Sequence, residues 1–222
     1  MRIRTAVVGS AVLPLLLIVT ACDGAIGFGG GVRGSGDVIT LSREVSGFTE
    51  IALSGSGNVI VDVNGTEALT IEADDNIMPL LTTEVRNGVL ELDVESSISP
   101  TRQITYTISA QALEGVSIAG SGYISATGVN TDSFTIKITG SGRVEPTGTA
   151  TELTVVISGS GDYEGEALVA QLGGVTVSGS GNALVNVTDE LDVTVSGSGD
   201  VGYIGSPNLS SSISGSGDVS QR

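Results

Sequence analysis

The chain has 222 residues, with 25 acidic against 9 basic side chains, no histidine and no tryptophan, and a formal net charge of −16. That charge argues against nucleic acid and against anionic lipid or polyuronate surfaces as direct ligands, because like charges repel at close approach. It leaves neutral ligands and divalent cations open, and the length suits one sizeable domain behind a leader.

Arg2 and Arg4 precede an apolar run from Ala11 through Leu15-Leu16-Leu17-Ile18-Val19 to Thr20-Ala21-Cys22. Early positive charge, a short apolar stretch and small residues at a cut site read as a secretory signal over residues 1–21, too short to span a bilayer comfortably. The ending Val19-Thr20-Ala21-Cys22 resembles the bacterial lipobox, in which cleavage precedes a cysteine that has first been diacylated. Cys22 is the only cysteine in the chain. The resemblance implies an exported lipoprotein, anchored to the cell envelope on its periplasmic or cell-surface face through acyl chains such as palmitate at Cys22. An ordinary signal peptide with an incidental cysteine is the alternative. A free thiol in an oxidising compartment is reactive whereas a thioether is inert. Two or three acyl chains, at about 0.8 kcal/mol per buried methylene, also anchor far more firmly than one. Loss of the leader removes Arg2 and Arg4 and takes the net charge from −16 to −18. Asp23 resembles an inner-membrane retention signal of some Gram-negative envelopes.

Residues 22–36 are dominated by glycine from Gly24 to Gly36 and suit a flexible tether, with an extended first turn of the domain as the alternative. The folded domain is then expected over 37–222. Within it Leu69-Thr70-Ile71-Glu72-Ala73 alternates as a strand, Asp74-Asp75-Asn76 breaks it, and Ile77-Met78-Pro79-Leu80-Leu81 reads as an irregular turn or cap. Thr83 to Leu92 carries Asn87-Gly88 at its middle and reads as a hairpin. The strand pattern resumes with Ile104-Thr105-Tyr106-Thr107-Ile108.

Self-similarity decides the architecture. Gly-Ser-Gly recurs with its serine at Ser35, Ser56, Ser121, Ser141, Ser160, Ser180, Ser198 and Ser216, at intervals of 21, 65, 20, 19, 20, 18 and 18. The long interval is close to three ordinary periods. Three residues before the serine stand Leu53, Ile118, Ile138, Ile157, Val177, Val195 and Ile213. Five before it stand Ile51, Val116, Ile136, Val155, Val175 and Val193. Apolar residues alternating with small polar ones mark strands buried on one face, and Gly-Ser-Gly marks the bend between two of them. A strand, a glycine corner, a strand and a looser return make one coil of a parallel β-helix, all-β, with about 18–21 residues per coil. Stacked coils satisfy one another's backbone about 4.8 Å apart and align their valines and isoleucines into one core. An antiparallel sandwich does not predict the same corner in the same register so many times.

The segment Phe48-Thr49-Glu50-Ile51-Ala52-Leu53-Ser54-Gly55-Ser56-Gly57, the Ala73-Asp74-Asp75-Asn76 break, the Thr83–Leu92 segment and the later Gly-Ser-Gly coils together resemble the putative auto-transporter adhesin, head GIN domain family. The resemblance covers nearly all of the chain after Cys22. It implies a right-handed β-helix on an exported protein and brings no catalytic residues.

An enzyme on this scaffold would need an acid pair, as in glycoside hydrolysis. Asp162, Glu164, Asp200 and Asp218 are the acids that could line one face. Aromatic platforms are few, and the commonest general base and zinc ligand are missing with histidine. Calcium is a closer contest. Gly-Ser-Gly-Asp at 159–162, 197–200 and 215–218 is similar to the core of calcium-binding β-rolls, but at twice their interval. The same position holds Asn58, Tyr123, Arg143 and Asn182 in other coils, which interrupts an ion ladder. Asp74 and Asp75 are weak metal candidates beside a turn-forming role. If the corners stack, their serines form a row of hydroxyls that either bridge neighbouring coils or meet a neutral sugar.

These residues point to a non-enzymatic binding or adhesion module without a resident cofactor, contacting a glycan or protein surface through Ser160, Asp162, Ser180, Ser198 and Asp200. Two alternatives remain: a structural envelope protein that forms homo-oligomers through its coil ends, and a polysaccharide-active enzyme.

Overall fold

The computed structural model describes residues 31–222. In chain order the strands are β1 (Val32–Arg33), β2 (Val38–Arg43), β3 (Glu50–Gly55), β4 (Asn58–Val63), β5 (Ala68–Asp74), β6 (Leu81–Arg86), β7 (Val89–Val94), β8 (Ile98–Ser99) and β9 (Thr105–Ala110). They continue with β10 (Gly115–Gly120), β11 (Tyr123–Gly140), β12 (Arg143–Gly159), β13 (Asp162–Gly179), β14 (Asn182–Gly197), β15 (Val201–Ile204), β16 (Asn208–Gly215) and β17 (Val219–Gln221). A single 3-10 turn, Met78–Leu80, is the only helical element among the described residues. The body is a parallel β-solenoid of about five turns.

Each coil turns at Gly-Ser-Gly because both glycines are needed there, for different reasons. Gly159 has φ +128°, a region closed to L side chains, and a Cβ on it would lie 2.5 Å from the Gly140 carbonyl oxygen of the coil beneath. A Cβ on Gly161 would lie 2.4 Å from Ile138 Cγ2, so this residue lets the corner close over the core. The corner therefore recurs in strict register, Gly120↔Gly140↔Gly159↔Gly179↔Gly197↔Gly215. Differences in coil length are absorbed on the far side, where the ladder shifts register between Ala126 and Val129, Val144 and Gly148, and Gly165 and Val169.

The alternating apolar positions do face inward. Leu53, Ile118, Ile138, Ile157, Val177 and Val195 form one column, each at most 2% exposed, while Ile213 at its end is 45% exposed. Phe134 and Tyr163 are among the largest fully buried side chains of the same continuous core. Burial at about 25 cal/mol per Å² of apolar surface makes these columns the main stabilising term.

The 65-residue interval does not hold three further coils. The Ser56 coil stacks directly on the Ser121 coil, with Ile51↔Val116 and Gly55↔Gly120. The intervening chain passes to the other side of β3 and β4. There β7 pairs with β3 and β9 with β4, both parallel, and β2, β5 and β6 close that end with antiparallel pairings. The Asn87-Gly88 hairpin forms as expected, with φ of +51° and +84° joining β6 to β7. Arg43 ties the two halves of this cap, donating from Nη1 to the Leu81 carbonyl at 2.7 Å and from Nη2 to the Met78 carbonyl at 3.1 Å.

The first Gly-Ser-Gly also lies outside the ladder. Its residues are gripped by the acidic break: Gly36 N–H donates to Asp74 Oδ1 at 2.9 Å, Ser35 Oγ to Asp75 Oδ1 at 2.5 Å, and Ser35 N–H to Asn76 Oδ1 at 2.9 Å. With Val32 and Arg33 paired to Ile98 and Ser99, the end of the glycine-rich segment read as a tether is built into the body from residue 31 onward. Residues 1–30, with the leader and Cys22, lie outside the described residues.

Candidate functional site

Seven corner serines, Ser56, Ser121, Ser141, Ser160, Ser180, Ser198 and Ser216, run in one exposed row along the solenoid. The backbone joins the coils here: the N–H of Ser160 donates to the Gly140 carbonyl at 2.8 Å, that of Ser180 to Gly159 at 2.8 Å and that of Ser198 to Gly179 at 2.8 Å. None of the seven hydroxyls is hydrogen-bonded among the described residues. The expected bridging of coils by serine side chains is thus replaced by main-chain bonds, and the hydroxyls point to solvent.

Two positions further along each coil a second column carries Asn58, Tyr123, Arg143, Asp162, Asn182, Asp200 and Asp218. Asn182 Nδ2 donates to Asp162 Oδ1 at 3.1 Å, Asp200 N–H to Asn182 Oδ1 at 3.2 Å, and Asp218 N–H to Asp200 Oδ1 at 2.9 Å. Short polar side chains follow the corner because they cap the backbone of the next coil, so part of their chemistry is structural. Arg143 pairs with Asp162 at 3.3 Å and Glu164 at 3.0 Å. These are half-exposed pairs, each contributing under about 1 kcal/mol.

The outward position after this column holds Glu145 and Glu164 on adjacent coils. Tyr123 Oη donates to Glu145 at 2.5 Å. Burial raises the Glu164 carboxyl above its ordinary value; Arg143 opposes this, while Glu145 and Asp162 add to it as like charges. Asp162, Glu164, Asn182, Leu184, Asp200 and Arg222 border a shallow hollow of about 360 Å³. Asp162 and Asp200, both expected from sequence, are therefore brought to one place, while Ser160, Ser180 and Ser198 stand two residues before Asp162, Asn182 and Asp200 and do not line it. Leu184 and Arg222 were not expected there. The signal for Leu184 was present in the same alignment, four residues after Ser180.

Asp74 and Asp75 stand apart from this site. Asp74 is buried, and its oxygens receive Gly36 N–H, the Thr101 hydroxyl at 2.5 Å and Thr101 N–H at 2.8 Å. The Thr101 hydroxyl first, then the Thr101 amide, hold its carboxyl below the usual value despite burial. Among the described residues no three Cys, Asp or Glu side chains converge to hold a metal ion, and no helix there is long and apolar enough to cross a membrane.

The family model described as putative auto-transporter adhesin, head GIN domain matches residues 47–207. A solved structure described as a putative adhesin from Bacteroides fragilis has a TM-score of 0.69 at 24% identity, over 86% of this chain and 100% of that one. One described as a putative lipid binding protein from Parabacteroides distasonis has a TM-score of 0.59 at 22% identity, over 86% and 99%. A third, described as a putative adhesin from Parabacteroides merdae, has a TM-score of 0.55 at 17% identity, over 86% and 98%. At these identities the likenesses establish the fold. No curated protein matches the sequence.

Proposed function

The chain belongs to the auto-transporter adhesin head GIN domain family, and from that premise we propose that it is a non-enzymatic adhesion domain, displayed on the cell envelope by a lipid at Cys22. Its ligand is a neutral glycan or a protein surface rich in hydroxyls and amides. The contact is made along the corner by Ser160, Ser180 and Ser198, and in the adjacent hollow by Asp162 and Asp200. The observation that carries this reading is the row of exposed serine hydroxyls with no structural bond among the described residues, beside a hollow edged by carboxylates and an amide. A sugar needs both donors and acceptors at fixed spacing, which a rigid row one coil apart provides.

The test is binding of the soluble chain beginning at Asp23 to a glycan array and to whole envelopes, with calcium and with chelator. Saturable binding that falls in a Ser160→Ala, Ser180→Ala double variant with an unchanged melting curve is the expected result. Binding that is unaffected by the double variant would overturn the assignment of the site, and calcium dependence would bring Asp162 and Asp200 into cation binding.

A second reading, self-association through the coil ends, is supported by β16. This strand pairs only with β14 among the described residues and leaves Leu209 and Ile213 39% and 45% exposed. Sedimentation of the same chain showing monomer alone at high concentration counts against it.

A further inference from the structure

Three triplets in the sequence have the form Asn-x-Ser/Thr: Asn64-Gly65-Thr66, Asn186-Val187-Thr188 and Asn208-Leu209-Ser210. The triplet alone is a weak signal for glycan attachment, and the fold separates the three sharply. Asn186 lies within β14, half-buried, with the next residue Val187 fully buried and Asn186 Nδ2 donating to the Glu166 carbonyl at 3.0 Å. Asn208 lies in β16, in the parallel ladder opposite Glu190. A transferase that must draw the acceptor backbone into its own groove would have to peel either strand from the solenoid.

Asn64 sits where the ladder ends, its N–H and that of Gly65 both donating to the single Ala110 carbonyl at 3.1 and 3.2 Å. It opens the turn between β4 and β5, Asn64, Gly65 and Thr66 are all exposed, and Gly65 has φ +85°. The side chains are already folded around the amide. Thr66 Oγ1 donates to Asn64 Oδ1 at 2.6 Å and Thr66 N–H to the same oxygen at 3.1 Å. On the other side Asn64 Nδ2 donates to Asp62 Oδ2 at 3.0 Å. Two donors on the amide oxygen stabilise negative charge there, and a carboxylate on the amide N–H favours loss of its proton. Both effects shift an unreactive carboxamide towards an imidate-like nucleophile. Asp62 stands two residues before the asparagine, whereas Leu184 and Ser206 occupy that place before Asn186 and Asn208.

We propose that Asn64 is an acceptor for an N-linked glycan, delivered from an oligosaccharide carried on a lipid diphosphate. In the transfer, Asn64 Nδ2 forms a bond to the anomeric carbon as the bond from that carbon to the diphosphate oxygen breaks. The diphosphate departs with the electron pair, and Nδ2 gives up one proton to a carboxylate of the transferase. Oxidation states do not change. The turn lies between β4 and β5, away from the corner row of Ser160 to Ser198, so this inference does not depend on the adhesion site.

The experiment expresses the full chain with its own leader in a bacterial host that supplies an oligosaccharyltransferase and a lipid-diphosphate-linked oligosaccharide, and reads intact mass and glycopeptides. The expected result is one glycan increment, on the peptide containing Asn64 and on neither other triplet. It disappears in Asn64→Gln and Thr66→Val, falls in Asp62→Asn and persists in Thr66→Ser. A folded, exported chain left unmodified at Asn64, while a control acceptor in the same cells is glycosylated, overturns the proposal. So does modification at Asn186 or Asn208 in place of Asn64.

Discussion

Gly159→Ala and Ser160→Ala change adjacent residues of one corner, yet the geometry assigns them opposite consequences. At Gly159 an alanine is held at φ +128° with its Cβ 2.5 Å from the Gly140 carbonyl oxygen, a backbone atom fixed in the ladder. The forbidden backbone region costs about 1–3 kcal/mol, and forcing two coils apart adds about 1–3 kcal/mol. The expected loss is therefore about 2–6 kcal/mol, and a body of this length loses roughly 2–4 °C of Tm per kcal/mol. Ser160→Ala removes an exposed hydroxyl with no partner among the described residues and leaves the Ser160 N–H bond to Gly140 intact, so its effect stays within about 0.5 kcal/mol. Thermal and urea unfolding followed by circular dichroism on both variants measures the contrast. A Gly159→Ala chain that melts with the wild type would refute the steric account of the corner. A Ser160→Ala chain destabilised as much as Gly159→Ala would show that the hydroxyls hold the coils together, and would remove the basis for placing ligand there.

Three further outcomes follow from other parts of the molecule. Because the Asp74 carboxyl is held below its ordinary value of 3.8 in the folded chain, the stability it contributes is present above that value and is lost as pH falls through the depressed one; hydrogen exchange at residues 32–36 is expected to accelerate in acid before exchange in β11–β14 does, and simultaneous loss of protection in both regions would refute a local clasp. Tyr163 is 1% exposed and its hydroxyl has no partner among the described residues, so Tyr163→Phe removes a desolvation cost and is expected to raise stability by about 1 kcal/mol, a fall in the urea midpoint being the contrary result. Cys22→Ser is expected to release the protein from the membrane fraction, and continued association would show that Cys22 is not its anchor.

The sequence by itself determined the coil. The apolar positions three and five residues before each serine, and a corner that only glycine can form, are local requirements repeated along the chain, so alignment alone predicts which side chains face inward. Asn87-Gly88 announced its hairpin for the same reason, since its backbone angles are set by those two residues. What tertiary structure decided is the order of stacking and the partners of the polar groups. That Ser56 lies against Ser121 across 65 residues, and that Gly34-Ser35-Gly36 leaves the ladder for Asp74, Asp75 and Asn76, depends on pairings between distant segments that no local pattern encodes. The hollow likewise joins Glu164 and Asp200 to Arg222, residues from different levels of the solenoid. A local spacing specifies the direction in which each side chain points, but only stacking specifies which side chain of another coil it meets.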